Sequence, residues 1–127
     1  MQYIQTSNAP AAIGPYSQAI VSGGLVYTSG QIALMPDGTL VENDIKLQTR
    51  QVFENLRNVL EASGSSPDKV IKANIFLDNM YDFGIVNVLF AEFFGDHKPA
   101  RSTVAVQTLP KNVLIEIDVV AISTNFH

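Results

Sequence analysis

A chain of 127 residues, 46% hydrophobic and 16% charged, has the size and composition of one globular domain, residues 1–127. Eight basic against twelve acidic residues give a formal charge of −4, which argues against a nucleic-acid partner and obliges any anionic ligand to be held by a local cation. With no cysteine and two separated histidines, disulfides, thiolate chemistry and a metal cluster are excluded, and no metal or cofactor is expected; no apolar run approaches the ~20 residues of a membrane span and residues 1–5 show no leader pattern, so no membrane partner and a cytoplasmic location are expected.

In chain order, residues 3–6 read as a short strand closed by Ser7-Asn8-Ala9-Pro10. Gly14-Pro15 marks a turn ahead of Tyr16, which on its own reads as a half-buried aromatic with its hydroxyl in water. Residues 18–22 and 25–29 flank Gly23-Gly24 and predict a hairpin. Ser29 at its end can satisfy backbone groups, and Gly30 lets backbone approach a neighbour closely. Residues 32–41 form a connection that turns at Met35-Pro36-Asp37-Gly38.

A helix begins at Asn43 or Asp44, either of which can cap it. Ile45, Thr49, Val52, Phe53, Leu56, Val59, Leu60 and Ser63 recur at three and four residues, and Gly64 then Pro67 end the run. Residues 70–77 alternate as a strand with one buried face. Asp78 or Asn79 caps a second helix over 80–94, with a stripe of Phe83, Val86, Asn87, Phe90, Phe93 and Phe94. Asn87 needs partners if buried, as a structural asparagine or as a ligand contact. His97 in the polar loop that follows is expected to be exposed.

Residues 101–107 and 113–123 read as the strands of a final antiparallel hairpin about Pro110-Lys111. The order β-β-β-α-β-α-β-β predicts an α+β domain with both helices on one face of a sheet. Arg101 is a planar, always charged fork suited to a carboxylate. Glu116, between Ile115 and Ile117, is a carboxylate where its neighbours want burial, hence paired, used, or on the solvated face of an edge strand. A symmetric hairpin puts Arg101 opposite Val120 and Glu116 opposite Ala105, with both charges on one side and roughly 13 Å apart. A site using both then needs a long ligand, a shifted register or a second subunit.

Pro99-Ala100-Arg101-Ser102, Leu109-Pro110 and Ile115-Glu116-Ile117 together resemble the signature of the reactive intermediate deaminase (RidA/YjgF) family. Gly14-Pro15-Tyr16-Ser17-Gln18-Ala19, Tyr27-Thr28-Ser29-Gly30-Gln31 and Val86-Asn87 resemble further family blocks in the family's order, so the resemblance spans essentially the whole chain. Thr103 stands where many members carry cysteine and Gln107 where a small or basic residue is usual, departures that bear on substrate preference.

The resemblance implies a chorismate-mutase-like fold on a mixed sheet, a homotrimer with sites between subunits, and no cofactor. It also implies hydrolysis of reactive 2-enamine and 2-imine acids such as 2-aminoacrylate to 2-keto acids and ammonia. In that chemistry Arg101 would hold the substrate carboxylate and Glu116 would handle water and a proton. Tyr16, Ser29, Gly30, Asn87 and Thr103 would line the substrate site with Arg101. The competing expectation is a trimeric binder or sensor of keto acids that leaves Glu116 without a catalytic duty.

Overall fold

The computed structural model describes residues 1–125. Six strands form one sheet: β1 (Gln2–Ile4), β2 (Ala19–Ser22), β3 (Leu25–Thr28), β4 (Val70–Leu77), β5 (Ala100–Ala105) and β6 (Ile115–Ile122). Two helices, α1 (Ile45–Ala62) and α2 (Phe83–Phe94), pack on one face. The strand order is β1-β2-β3-β6-β4-β5, and every neighbouring pair is antiparallel except β4 with β5. The expected element order and the mixed sheet are therefore present.

Local chemistry sets the ends. Asp44 caps α1 by accepting from the Leu47 N–H at 3.0 Å, and Gly64 leaves the helix at a φ of 71°. The second helix starts with a tight turn, Met80–Asp82, because Asn79 accepts from the Tyr81 N–H at 2.9 Å and the α-helix proper follows from Phe83. The first strand is shorter than expected because the buried Gln18 side chain takes the Thr6 backbone for itself. Its amide accepts from the Thr6 N–H at 2.7 Å and donates to the Thr6 and Pro10 carbonyls at 3.1 and 2.8 Å. His97, expected to be exposed, is half-buried with Nε2 2.6 Å from the Val70 carbonyl, so that nitrogen donates.

The core lies between helices and sheet. Val52, Leu56, Val59 and Leu60 of α1 meet Val86, Phe90 and Phe94 of α2 over Ala73, Ile75, Leu77, Ile115, Ile117 and Val119. Phe53 stacks on Phe93 with ring centres 4.4 Å apart, joining the helices. Two polar side chains buried on α1 point at loops rather than at other helices. Gln48 accepts from the Leu114 N–H at 2.8 Å and donates to the Val41 and Glu42 carbonyls at 3.3 Å. Asn55 donates to the carbonyls of Ile32 and Leu34 at 3.2 and 2.8 Å. Both fix the loop after β3 and the entry to β6, the segments that carry Gly30 and Glu116.

The final two strands do not form a hairpin. β4 lies between them, pairing in parallel with β5 and antiparallel with β6. The connecting loop, residues 106–114, crosses the end of β4 and bonds to it on both sides: the Val106 N–H donates to the Leu77 carbonyl at 2.9 Å and the Asp78 N–H to the Leu114 carbonyl at 3.0 Å. Alternation reveals which face of a strand is buried but not which strand lies beside it. No helix among the described residues is long and apolar enough to cross a membrane.

The other face of the sheet is uncovered. A continuous cross-strand row runs over it, Tyr3, Ile20, Tyr27, Val120, Lys72 and Ala100. Tyr3, Tyr27 and Ile122 on this side are 71%, 47% and 49% exposed.

Candidate active site

The sheet register divides the candidate residues into two groups on opposite faces. Arg101 shares a row with Ala73 and Val119, which are buried under the helices. Glu116 shares a row with Phe76 and Val104 on the uncovered face. The expectation that both charges face one side is thus overturned, because inserting β4 between the strands replaces the assumed pairing. Their Cα atoms lie two strands across and three residues along, roughly 14 Å apart. Within one chain these two groups do not meet.

The first group surrounds a cleft of about 450 Å³ whose walls include Tyr16, Ser29, Gly30, Gln31, Lys111 and Glu116. The strand-like pairing of Gln31 with Ile117, through N–H to O distances of 2.8 and 3.1 Å, presses Gly30 against Glu116. A Cβ on Gly30 would lie 2.7 Å from Glu116 Cδ, so any other residue here obliges the carboxylate to move from its present place. Glu116 has no hydrogen-bond partner or cation among the described residues. Burial, and secondarily the nearby Asp118, pushes its carboxyl above the ordinary value of 4.5. Such a carboxylate is poised to accept a proton from water.

Ser29 turns its hydroxyl inward to donate to the Ser17 carbonyl at 2.5 Å, while its N–H donates to the Gln18 carbonyl at 2.9 Å. It holds the wall in place through its own backbone partners. Tyr16 stands on a tight turn, its N–H donating to the Gly14 carbonyl at 2.9 Å and its hydroxyl accepting from the Ile13 N–H at 3.4 Å. Its ring is more than half exposed and forms the outer wall of the cleft.

The second group lies on the helix side of the edge strand β5. Arg101 Nη1 donates to Asn87 Oδ1 at 2.7 Å, and the guanidinium lies over the rings of Phe90 and Phe83 at 4.8 and 5.4 Å. Asn87 is exposed, and it ties down the arginine rather than a loop. No carboxylate pairs with Arg101 among the described residues, so the rest of its fork can receive an external one. Two residues on, Thr103 has a buried hydroxyl without a partner. A buried polar atom left unpaired calls for a ligand group or water.

Comparison with known proteins identifies the fold's owner. The model of the family described as endoribonuclease L-PSP matches residues 6–123. The chain belongs to that family, which includes the RidA/YjgF proteins. A RutC family protein of Pyrococcus horikoshii is 51% identical over 121 residues, 94% of this chain and 96% of the relative. The 2-iminobutanoate/2-iminopropanoate deaminase of Salmonella typhimurium is 43% identical over 122 residues, 94% of this chain and 95% of the relative. Among solved structures, a Rid family protein of Yersinia pestis superimposes with a TM-score of 0.93 at 51% identity, covering 95% of this chain and 98% of that one.

For this Rid family chain, residue reasoning alone missed two cleft residues. Gln31 is 6% exposed, and its side-chain amide has no hydrogen-bond partner among the described residues. Lys111 was expected at the tip of a hairpin, and instead reaches the rim of the Glu116 cleft. No periodicity marks either one, since both positions depend on how loops fold back over the sheet.

Proposed function

We propose that the protein is a hydrolytic deaminase of reactive 2-enamine and 2-imine acids, such as 2-aminoacrylate, acting in the cytoplasm. The observation that carries this reading is Glu116, a carboxylate held unpaired in a cleft and pushed toward its protonated form. A carboxylate that is half-buried and unpaired in a cleft adds nothing to the fold and is free for chemistry. The relative named as an iminobutanoate and iminopropanoate deaminase supports the same chemistry.

The reaction asks little of the protein because an imine is already electrophilic. An enamine such as 2-aminoacrylate first takes a proton at C3 and becomes the iminium. Water adds to the iminium carbon as the Glu116 carboxylate takes its proton, giving a neutral carbinolamine. Glu116 returns that proton to nitrogen; as the C–N bond breaks, the carbinolamine hydroxyl proton passes through Glu116 to the departing ammonia, which leaves as ammonium beside the 2-keto acid. A placed base of this kind contributes about 10²–10⁴-fold. Arg101, steadied by Asn87 and by two phenylalanine rings, binds the substrate carboxylate through paired charge-assisted hydrogen bonds. The Thr103 hydroxyl, buried and unpaired two residues from Arg101, stands where many relatives carry a thiol.

Arg101 and Glu116 lie on opposite faces of one sheet, so a working site takes them from two copies. The uncovered sheet face, with Tyr3, Tyr27 and Ile122 exposed on it, offers a surface for such an assembly, and the homotrimer that the family resemblance implies is the assembly proposed. The direct test generates 2-aminoacrylate in situ with a dehydratase and follows pyruvate release. Acceleration by the wild type, its loss in Arg101→Ala and poor rescue by Arg101→Lys, a point charge without the fork, are expected. Near-normal turnover in Arg101→Ala overturns the carboxylate assignment. Binding of pyruvate without any acceleration would make the protein a keto-acid sensor instead.

A further inference from the structure

Residues 106–114 close over the end of β4 through a short turn, Pro110–Asn112, at the rim of the Glu116 cleft. Lys111 and Asn112 are the non-glycine residues of positive φ among the described residues, at 55° and 57°. Two consecutive side-chain-bearing residues in the left-handed region are uncommon and persist only where their surroundings hold them. Here the Asn112 N–H donates to the Leu109 carbonyl at 3.0 Å and the Val113 N–H to the Pro110 carbonyl at 3.2 Å. Leu109 and Val113 are buried on either side, so both ends of the turn are anchored and Lys111 is left exposed at the rim.

The charge of the cleft gives that placement a use. Only Lys111 and Glu116 among its lining residues are charged, and they form no ion pair with each other. No other carboxylate pairs with Lys111 among the described residues. The chain carries a formal charge of −4, and Asp118 shares the uncovered face with Glu116. An anion approaching this cleft therefore meets repulsion that one free ammonium at the mouth offsets.

We propose that Lys111 is the entry cation of the site, drawing the carboxylate of an anionic imino or keto acid into the Glu116 cleft and thereby setting KM. Arg101 then holds the bound carboxylate. This inference rests on the imine-hydrolysis reading above. It also explains why a left-handed residue with a long cationic side chain stands where glycine or asparagine would be less strained.

The test compares wild type with Lys111→Gln, Lys111→Gly and Lys111→Arg in steady-state deamination. Glycine suits the backbone, so that variant keeps the turn while removing the charge. Both neutral variants should lose about three- to tenfold in kcat/KM, carried by KM with kcat nearly unchanged, and arginine should restore the loss. The deficit should fade as ionic strength rises from about 0.01 M to about 1 M, because the screening length contracts from about 30 Å to about 3 Å. An unchanged kcat/KM in both neutral variants overturns the proposal, as does a deficit that ignores salt and arginine. If the wild type proves unable to hydrolyse imines, the functional reading has failed by itself. Calorimetric binding of pyruvate then decides Lys111: a salt-sensitive loss of affinity in both neutral variants supports it, and equal affinity, or no binding even by wild type, overturns it.

Discussion

At Glu116, the environment that raises its carboxyl above 4.5 also makes it a liability for the fold. A raised group contributes stability that is complete below its unfolded value and is lost as pH rises through its folded one. Glu116→Gln removes this loss, so urea denaturation should show the variant gaining on wild type as pH rises above the ordinary carboxyl value of 4.5. Only the ionised form accepts a proton, so Glu116 sets the acidic limb of kcat/KM, with burial and Asp118 moving it up and the Arg101 guanidinium of a neighbouring copy moving it down. Asp118→Asn removes the nearby like charge and should move that limb to lower pH. An acidic limb that stays put in Asp118→Asn and persists unchanged in Glu116→Gln would end the assignment of Glu116 as the base. Gly30 offers a steric counterpart: Gly30→Ala puts a methyl group into the carboxylate, and turnover should fall by at least about tenfold while the protein stays folded by circular dichroism. Turnover equal to wild type would show that Glu116 can move without consequence.

At the scale of elements, α1 holds the cleft in place through side chains that never touch it. Asn55 is fully buried, and Asn55→Leu would strand the Ile32 and Leu34 carbonyls. Denaturant unfolding should show a loss of about 2–4 kcal/mol, with kcat reduced beyond what a simple core substitution causes. Much of this level was legible in the sequence: the Asp44 cap, the Gly64 exit, the alternation of residues 70–77 and the two-helix order all follow from local rules. What was not legible is adjacency. The alternation around Arg101 and around Glu116 shows a strand in each case, but nothing in either run says that β4 separates them. One unseen neighbour changes the relation of the two charges from same face to opposite face. Lys111 was hidden for a related reason, because a left-handed backbone in Leu109-Pro110-Lys111-Asn112 lacks the glycine that ordinarily announces one.

At the scale of the whole molecule, the two incomplete groups and the bare sheet face have one common solution. In the proposed trimer, copies that cover each other's sheets would bury Tyr3, Tyr27 and Ile122, exposed in the single chain, and would bring the cleft of one copy to the arginine of the next. Light scattering at micromolar concentration should give three times the 13.8 kDa chain mass. Subunit mixing tests the shared site most directly. Arg101→Ala and Glu116→Gln proteins, each nearly inactive alone, are unfolded together, refolded at equal amounts, and assayed for deamination, with native mass spectrometry to verify mixed trimers. Each mixed trimer contains one interface that joins an intact Glu116 to an intact Arg101, and random mixing makes three trimers in four mixed, so about a quarter of wild-type activity should return. If mixed trimers form and activity stays at the level of the parents, the site does not draw Arg101 and Glu116 from different copies.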